Sequence, residues 1–181
     1  KYLDMTDSQK IIINHKEGPM MVLAGPGTGK TRVLVERIAM LVRSGIPDSK
    51  ILAITFTNKA CDEILTRLNE KILTFGINVT TFHKLALSII KENLDLTGRK
   101  PGFTIVEENG SQEENSFDLD SLITEAVKIL TKIDLKKRFK YIMIDEFQDI
   151  NEAQYELIKL LLPNKNSGLG PNLFVIGAPD Q

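Results

Sequence analysis

Met20-Met21-Val22-Leu23-Ala24-Gly25-Pro26-Gly27-Thr28-Gly29-Lys30-Thr31-Arg32 is the stretch whose reading decides the fold. Four apolar residues end in a glycine-rich turn, and a helical pattern starts at once behind it. Strand, loop and helix N-terminus in that order are the context of a phosphate-binding P-loop. Gly25, Gly27 and Gly29 reach backbone angles closed to other residues, so successive N–H groups can point at one anion. The helix N-terminus adds unpaired N–H groups and a favourable dipole. Lys30 is expected along the β- and γ-phosphates, and the Thr31 hydroxyl on Mg²⁺. The pattern opens on Ala24 where glycine is usual, at its least restrictive position.

Working outward, 181 residues suit one α/β domain with a core of its own. Lysine and arginine number 23 against 24 aspartates and glutamates, so no global basic field announces nucleic acid, and any such site is local. Cys61 is the single cysteine, which excludes disulfides within the chain and points to a reducing, cytoplasmic setting. No apolar run is long enough to span a membrane, and no signal peptide is visible. The chain opens on Lys1 and stops at Gln181 just behind an apolar run, so both ends read as boundaries of a piece.

Before the P-loop, residues 6–17 read as a helix with Thr6 as N-cap and Gln9 completing a capping box. A glutamine upstream of a P-loop has a second possible role, reading an adenine edge with its donor and acceptor. Behind the P-loop, Val33, Leu34, Ile38, Leu41 and Val42 repeat at helical spacing over Thr31–Ser44. Ile51–Thr55 is a buried strand, followed by a helix to about Phe75. A short strand at Val79–Thr80 leads into a helix from Leu85 to Leu94. Residues 97–117 break the pattern with Gly98, Pro101, Gly102 and an acidic polar run, with a short strand at Phe103–Val106. A helix resumes near Asp120. Tyr141–Ile144 is a strand, Asn151–Leu162 a helix and Asn172–Ile176 the last strand. Strands alternating with helices predict an α/β fold: a parallel sheet with helices on both faces. Ligands of such sheets bind beyond the carboxyl ends of the strands, where the polar clusters fall. Residues 1–90 and 141–181 are expected to form the core domain, with 91–140 as a short insertion.

Asp145 and Glu146 stand at the end of an apolar strand far downstream of the P-loop. Asp145 is the expected second Mg²⁺ anchor, and Glu146 is placed to polarise the attacking water. Gln148 and Gln181 are amides near the same edge. Each suits sensing of the γ-phosphate, a link from the ATP site to another surface, or a plain surface role.

AGPGTGKTR, AITFTNKA, TTFHKLA, IDEFQD and VIGAPDQ occur in this order. Together they resemble the first motor domain of UvrD/Rep-type superfamily 1 DNA helicases over nearly the whole chain. The resemblance implies a RecA-like P-loop NTPase fold, ATP hydrolysis with Mg²⁺, and 3′-to-5′ movement on single-stranded DNA. By that similarity Gln9 and Arg32 contact adenine, while Ala24, Gly25, Pro26, Gly27, Thr28, Gly29, Lys30 and Thr31 cradle phosphate and Mg²⁺. Asp145 and Glu146 serve Mg²⁺ and hydrolysis, and Gln181 approaches the γ-phosphate. Phe56, Thr57, Asn58 and Lys59, with Thr81, Phe82 and His83, become the DNA-facing loops. Backbone contacts plus aromatic platforms are what single-strand binding uses. Phe82 judged alone reads as core rather than as a DNA platform. Two departures stand out. The family's helical subdomain between TTFH and IDEFQD is reduced here to the short insertion. Everything behind VIGAPDQ is missing, including the second motor domain and its arginines. Arg32, Arg37 and Arg43 are no obvious substitutes, so this chain is expected to bind nucleotide but hydrolyse it slowly. A nucleotide-gated binding module without unwinding, and a P-loop ATPase unrelated to DNA, are the alternative readings.

Overall fold

The computed structural model describes residues 5–15, 18–24, 29–73, 76–107, 114–163 and 172–178. Its helices are α1 (Asp7–Asn14), α2 (Lys30–Arg43), α3 (Asn58–Lys71), α4 (Phe82–Glu92), α5 (Leu122–Leu130) and α6 (Glu152–Leu161). Its strands are β1 (Met20–Leu23), β2 (Ile51–Thr55), β3 (Asn78–Thr81), β4 (Thr104–Val106), β5 (Ser116–Asp118), β6 (Tyr141–Asp145) and β7 (Asn172–Gly177). Among the described residues, five strands form one parallel sheet in the order β1-β7-β6-β2-β3. The expected parallel sheet with helices on both faces is present.

Strand alternation sorts the core into two layers. Ile51 and Ala53 of β2, Tyr141 and Met143 of β6, and Phe174 and Ile176 of β7 face α1, α2 and α3. Leu52 and Ile54, Ile142 and Ile144, and Val175 face α4, α5 and α6. Strands β2 and β6 are covered on both sides, which is why they read as continuous apolar runs. A fully buried leucine or isoleucine in either layer contributes about 1.5–3 kcal/mol. Edge strand β1 differs: Met20 and Val22 pack inward, while Met21 and Leu23 are 63% and 66% exposed.

Three local features depart from the sequence reading. Helix α3 stops at Lys71, with Ile72 as C-cap, short of Phe75. Helix α4 starts at Phe82 rather than Leu85, because the Thr81 hydroxyl accepts from the Lys84 N–H and caps it. Strand β5 was not expected. It pairs in parallel with β4 inside the polar stretch, where three residues leave no period to read. Phe117 of β5, five residues of α5 and Phe139 join the same core layer as β2, β6 and β7. No described helix is long and apolar enough to cross a membrane.

Because the strands run parallel, their carboxyl ends share one edge. Leu23 lies beside Gly177, Asp145 beside Ile176, and Thr55 beside Thr81.

Candidate active site

Helix α2 begins at that edge. Its N-cap, Gly29, has φ +76°, the left-handed turn that brings the loop into the helix. Gly25, Pro26, Gly27 and Thr28 lie outside the described residues, as does Gln181. Ala24, just before the loop, donates its N–H to the Gly177 carbonyl at 2.8 Å, which ties β1 to β7 where both strands end. Lys30 and Thr31 open the helix and are half-buried.

The Lys30 ammonium crosses to β6. It donates to the Glu146 carboxylate and lies 3.8 Å from Asp145 Oδ1. The two carboxylates are neighbours in the chain, but their environments differ. Burial pushes Asp145 above the usual aspartate range, against the pull of Lys30, with Glu146 adding repulsion. Glu146 moves the other way, chiefly because it accepts from Lys30, with a second bond from Gln148. Glu146 also has φ +56°, the only non-glycine residue with positive φ among the described residues. That backbone costs on the order of 1–2 kcal/mol for an L side chain. It turns the carboxylate off the strand end, while Asp145 Oδ1 accepts from the Glu146 N–H at 2.8 Å.

Gln148 is a bridge. Its Nε2 donates to Glu146 at 2.5 Å, and its Oε1 accepts from the Ala178 N–H at 3.1 Å. The end of β7 is therefore joined to the Glu146 carboxylate through one amide. A Cβ at Gly177 would stand 2.4 Å from Gln148 Oε1, so only glycine leaves the bridge its room without displacement.

Mg²⁺ takes hard oxygen donors, with one or two carboxylates completed by phosphate and water. The Thr31 hydroxyl and the Asp145 carboxylate are donors of that kind at one strand edge, so the residues fit the ion. Among the described residues no cluster of three or more His, Cys, Asp or Glu could hold a metal by itself.

Gln9 is half-buried on α1. The capping box is formed: Gln9 N–H donates to Thr6 Oγ1 at 3.1 Å and Gln9 Oε1 accepts from Thr6 N–H at 3.0 Å. A carbonyl oxygen has a second lone pair and Nε2 has two hydrogens, so capping does not exhaust the amide. Its Nε2 lies 3.7 Å from where a Cβ of Gly29 would stand, which puts the amide over the start of α2. Arg32 is half-buried on the first turn of that helix.

At the β2 and β3 ends, Thr57, Asn58, Lys59 and His83 are exposed and Phe56 is half-buried. Thr57 and Thr81 accept with their hydroxyl oxygens as N-caps of α3 and α4, which does not use the hydroxyl hydrogens, and Thr81 is 8% exposed. Phe82 is 2% exposed and packs in the core, its ring centroid 5.4 Å from that of Phe56, so of its two readings the core one holds in this conformation. The sequence reading weighed Arg37 only as a substitute arginine and missed that it is buried on α2. The signal was present: Arg37 falls between Val33, Leu34, Ile38 and Leu41 on the inward stripe of that helix.

Comparison with known proteins places the chain in a family. The family model of the UvrD/REP helicase N-terminal domain matches residues 5–114 and 108–181. A "DNA helicase II" of Rickettsia typhi is 36% identical over 176 residues, covering 93% of this chain and 24% of that protein. An "ATP-dependent DNA helicase Rep" of Buchnera aphidicola is 30% identical over 244 residues, with 97% of this chain and 36% of the relative covered. An "ATP-dependent DNA helicase PcrA" of Staphylococcus epidermidis is 28% identical over 249 residues, at 98% and 34%. The chain thus spans about a quarter to a third of the length of these relatives. With its RecA-like parallel sheet and a matching model along nearly all its length, the chain belongs to the UvrD/REP helicase family as an N-terminal domain.

Proposed function

We propose that this chain is the ATP-binding motor domain of a DNA helicase, which hydrolyses Mg–ATP and tracks single-stranded DNA in the 3′-to-5′ direction. One observation carries the reading. Lys30 at the head of α2 meets Asp145 and Glu146 at the end of β6, across 116 residues of sequence. A phosphate-binding lysine facing a strand-end aspartate suited to Mg²⁺ is the charge arrangement of a P-loop ATPase.

Lys30 binds the β- and γ-phosphates, exchanging Glu146 for phosphate oxygens. Thr31 and Asp145 hold Mg²⁺, which neutralises charge on the transferring phosphoryl group. Glu146, released from Lys30, orients and deprotonates the attacking water, and Gln148 fixes its carboxylate. Gln181 approaches the γ-phosphate. Gln9 and Arg32 read the adenine. Phe56, Thr57, Asn58, Lys59, Thr81 and His83 follow the DNA backbone. Residues 91–140 are an insertion grown into the core domain of 1–90 and 141–181. Similarity to proteins named DNA helicase and ATP-dependent DNA helicase supports the substrate and the energy source.

In P-loop enzymes an arginine delivered from another domain contributes about 10³–10⁵ in turnover. This chain is therefore expected to bind nucleotide and turn it over slowly. A fluorescent ATP analogue titrated into the chain and into Lys30→Ala tests the site, with binding lost in the variant. Phosphate release is then measured with and without single-stranded DNA, for this chain and for a form extended by a second motor domain. Turnover stimulated by DNA only in the extended form is the expected result. Robust stimulated turnover by 181 residues alone would overturn the two-domain motor, and equal nucleotide affinity in Lys30→Ala would overturn the site.

A further inference from the structure

Arg37 is 1% exposed, two turns behind Lys30 on the same helix. Burial lowers it to about 10, so it remains charged at neutral pH. A buried cation ordinarily finds a carboxylate. Among the described residues Arg37 has none. Its Nη1 donates instead to the carbonyls of His15 and, at 3.4 Å, of Ile12, at the C-terminal end of α1. Its guanidinium stacks 4.6 Å above the Phe174 ring of β7, and its Nε has no hydrogen-bond partner among the described residues. Cations are favoured at helix C-termini, where the last carbonyls are unpaired and carry the negative end of the dipole.

Helix α1 needs such an anchor. Eight residues are too few for a helix to hold itself in water, and Ile13 is its only fully buried residue. The chain behind α1 is pinned in the same place: His15 Nε2 lies 3.0 Å from the Gly18 carbonyl, and Gly18 N–H donates to Asn172 Oδ1 at 2.8 Å. Gln9 sits on α1 upstream of these carbonyls, with its amide over Gly29. One helix, α2, thus carries the phosphate ligands at its head and the anchor of the Gln9 helix in its middle.

We propose that Arg37 is a positioning residue for base recognition: by clamping the C-terminal carbonyls of α1 to α2 and β7, it fixes the distance between the Gln9 amide and the phosphate cradle, and thereby the preference for adenine over guanine. This rests on the reading that Gln9 contacts the base. The prediction is specific in what it spares. Loosening α1 shifts the base reader but leaves Lys30 and Thr31 where they are, so triphosphate affinity is untouched.

The test is displacement of a fluorescent ATP analogue by Mg–ATP, Mg–GTP and inorganic tripolyphosphate, in the unsubstituted chain, Gln9→Ala, Arg37→Lys and Arg37→Met. Lysine keeps the charge and loses the planar fork. The expected result is a roughly tenfold weaker ATP affinity in both Arg37 variants, the order of one or two lost hydrogen bonds. GTP and tripolyphosphate affinities stay within about twofold, a change worth well under one such bond. Amide exchange speeds up in residues 10–14 and not in α2. A parallel loss for all three ligands would make Arg37 an ordinary core residue and overturn the proposal, as would failure of both variants to fold. An unchanged ATP preference in Gln9→Ala would instead overturn base reading by Gln9, and with it the role given to Arg37. A lost preference in Gln9→Ala with an intact one in both Arg37 variants would overturn the Arg37 role alone.

Discussion

Two clusters stand side by side on the carboxyl edge of one sheet, and they are wired differently. At the ends of β1, β6 and β7, side chains bond to partners far away in the chain: Lys30 to Glu146, Gln148 to Ala178. At the ends of β2 and β3, the polar atoms of Thr57 and Thr81 go to N–H groups three residues on. The first cluster is a network joining distant parts of the chain, and in the proposed reading a ligand breaks into it. The second is two helix starts that leave Asn58, Lys59 and His83 outward. Substitutions in the first should act on chemistry, and in the second on stability and DNA affinity together.

The largest expected effect tests the first cluster. Glu146→Gln should lower phosphate release about 10²–10⁴-fold, the usual worth of a positioned general base. Nucleotide affinity should hold or rise, because Lys30 loses the carboxylate that competes with phosphate. Steady-state release and nucleotide titration on one preparation check both halves. A fall in both would mean that the Lys30 pair is needed to hold the site together.

On the second cluster, Lys59→Ala together with His83→Ala should weaken single-strand binding several-fold at low salt. Removing one phosphate contact lowers the slope of log affinity against log salt by about 0.7. Anisotropy of a labelled oligonucleotide across a salt series gives both numbers. An unchanged slope would put the groove elsewhere on the surface.

Smaller again is the cost of the caps. Thr57→Ala and Thr81→Ala should each destabilise the fold by about 1 kcal/mol, while Thr→Ser keeps the oxygen and most of the stability. Urea melts of the four variants decide it. If alanine left stability intact but cut DNA affinity, these hydroxyls would be ligands first and caps second.

The smallest effect is a pH dependence. Glu146 is lowered by Lys30, so its contribution is present above the ordinary glutamate range and fades as pH falls through its lowered value. Asp145 is raised by burial, so its ionisation opposes folding at neutral pH and the cost is relieved as pH falls through its raised value. The two signs oppose, and the acid limb should be shallow. Asp145→Asn should steepen it and Glu146→Gln flatten it, both read from thermal melts between pH 3 and 7, a window about the ordinary carboxylate values.

The sequence made most of the fold legible, for a physical reason. Continuous apolar runs such as ILAIT belong to strands buried on both faces, and the structure holds a strand in each place expected, although β1 at the edge leaves Met21 and Leu23 exposed. The strand edge was legible too, since parallel strands must bring their carboxyl ends together. Partnerships within the edge were not. Nothing in the spacing of Lys30 and Glu146 says which carboxylate takes the ammonium, because that depends on Glu146 leaving the strand with a left-handed backbone. Phe82 kept two readings because a ring after a strand end suits core and surface, and its place in the first turn of α4 decides between them. The burial of Arg37 was not legible because a charge on an apolar stripe looks like an interruption until its carbonyl partners are seen.

The left-handed residue at 146 also says something about how such a sequence would drift. Glycine and asparagine tolerate that backbone better than glutamate does. A library selected only for heat resistance should therefore enrich both at this position, and every such variant would lack the carboxylate. If Glu146 activates the attacking water as proposed, stability and hydrolysis pull one codon in opposite directions. A chain of this family freed from its enzymatic duty would be expected to lose Glu146 early and keep its fold, which makes this residue a practical marker for telling working motors from retired ones.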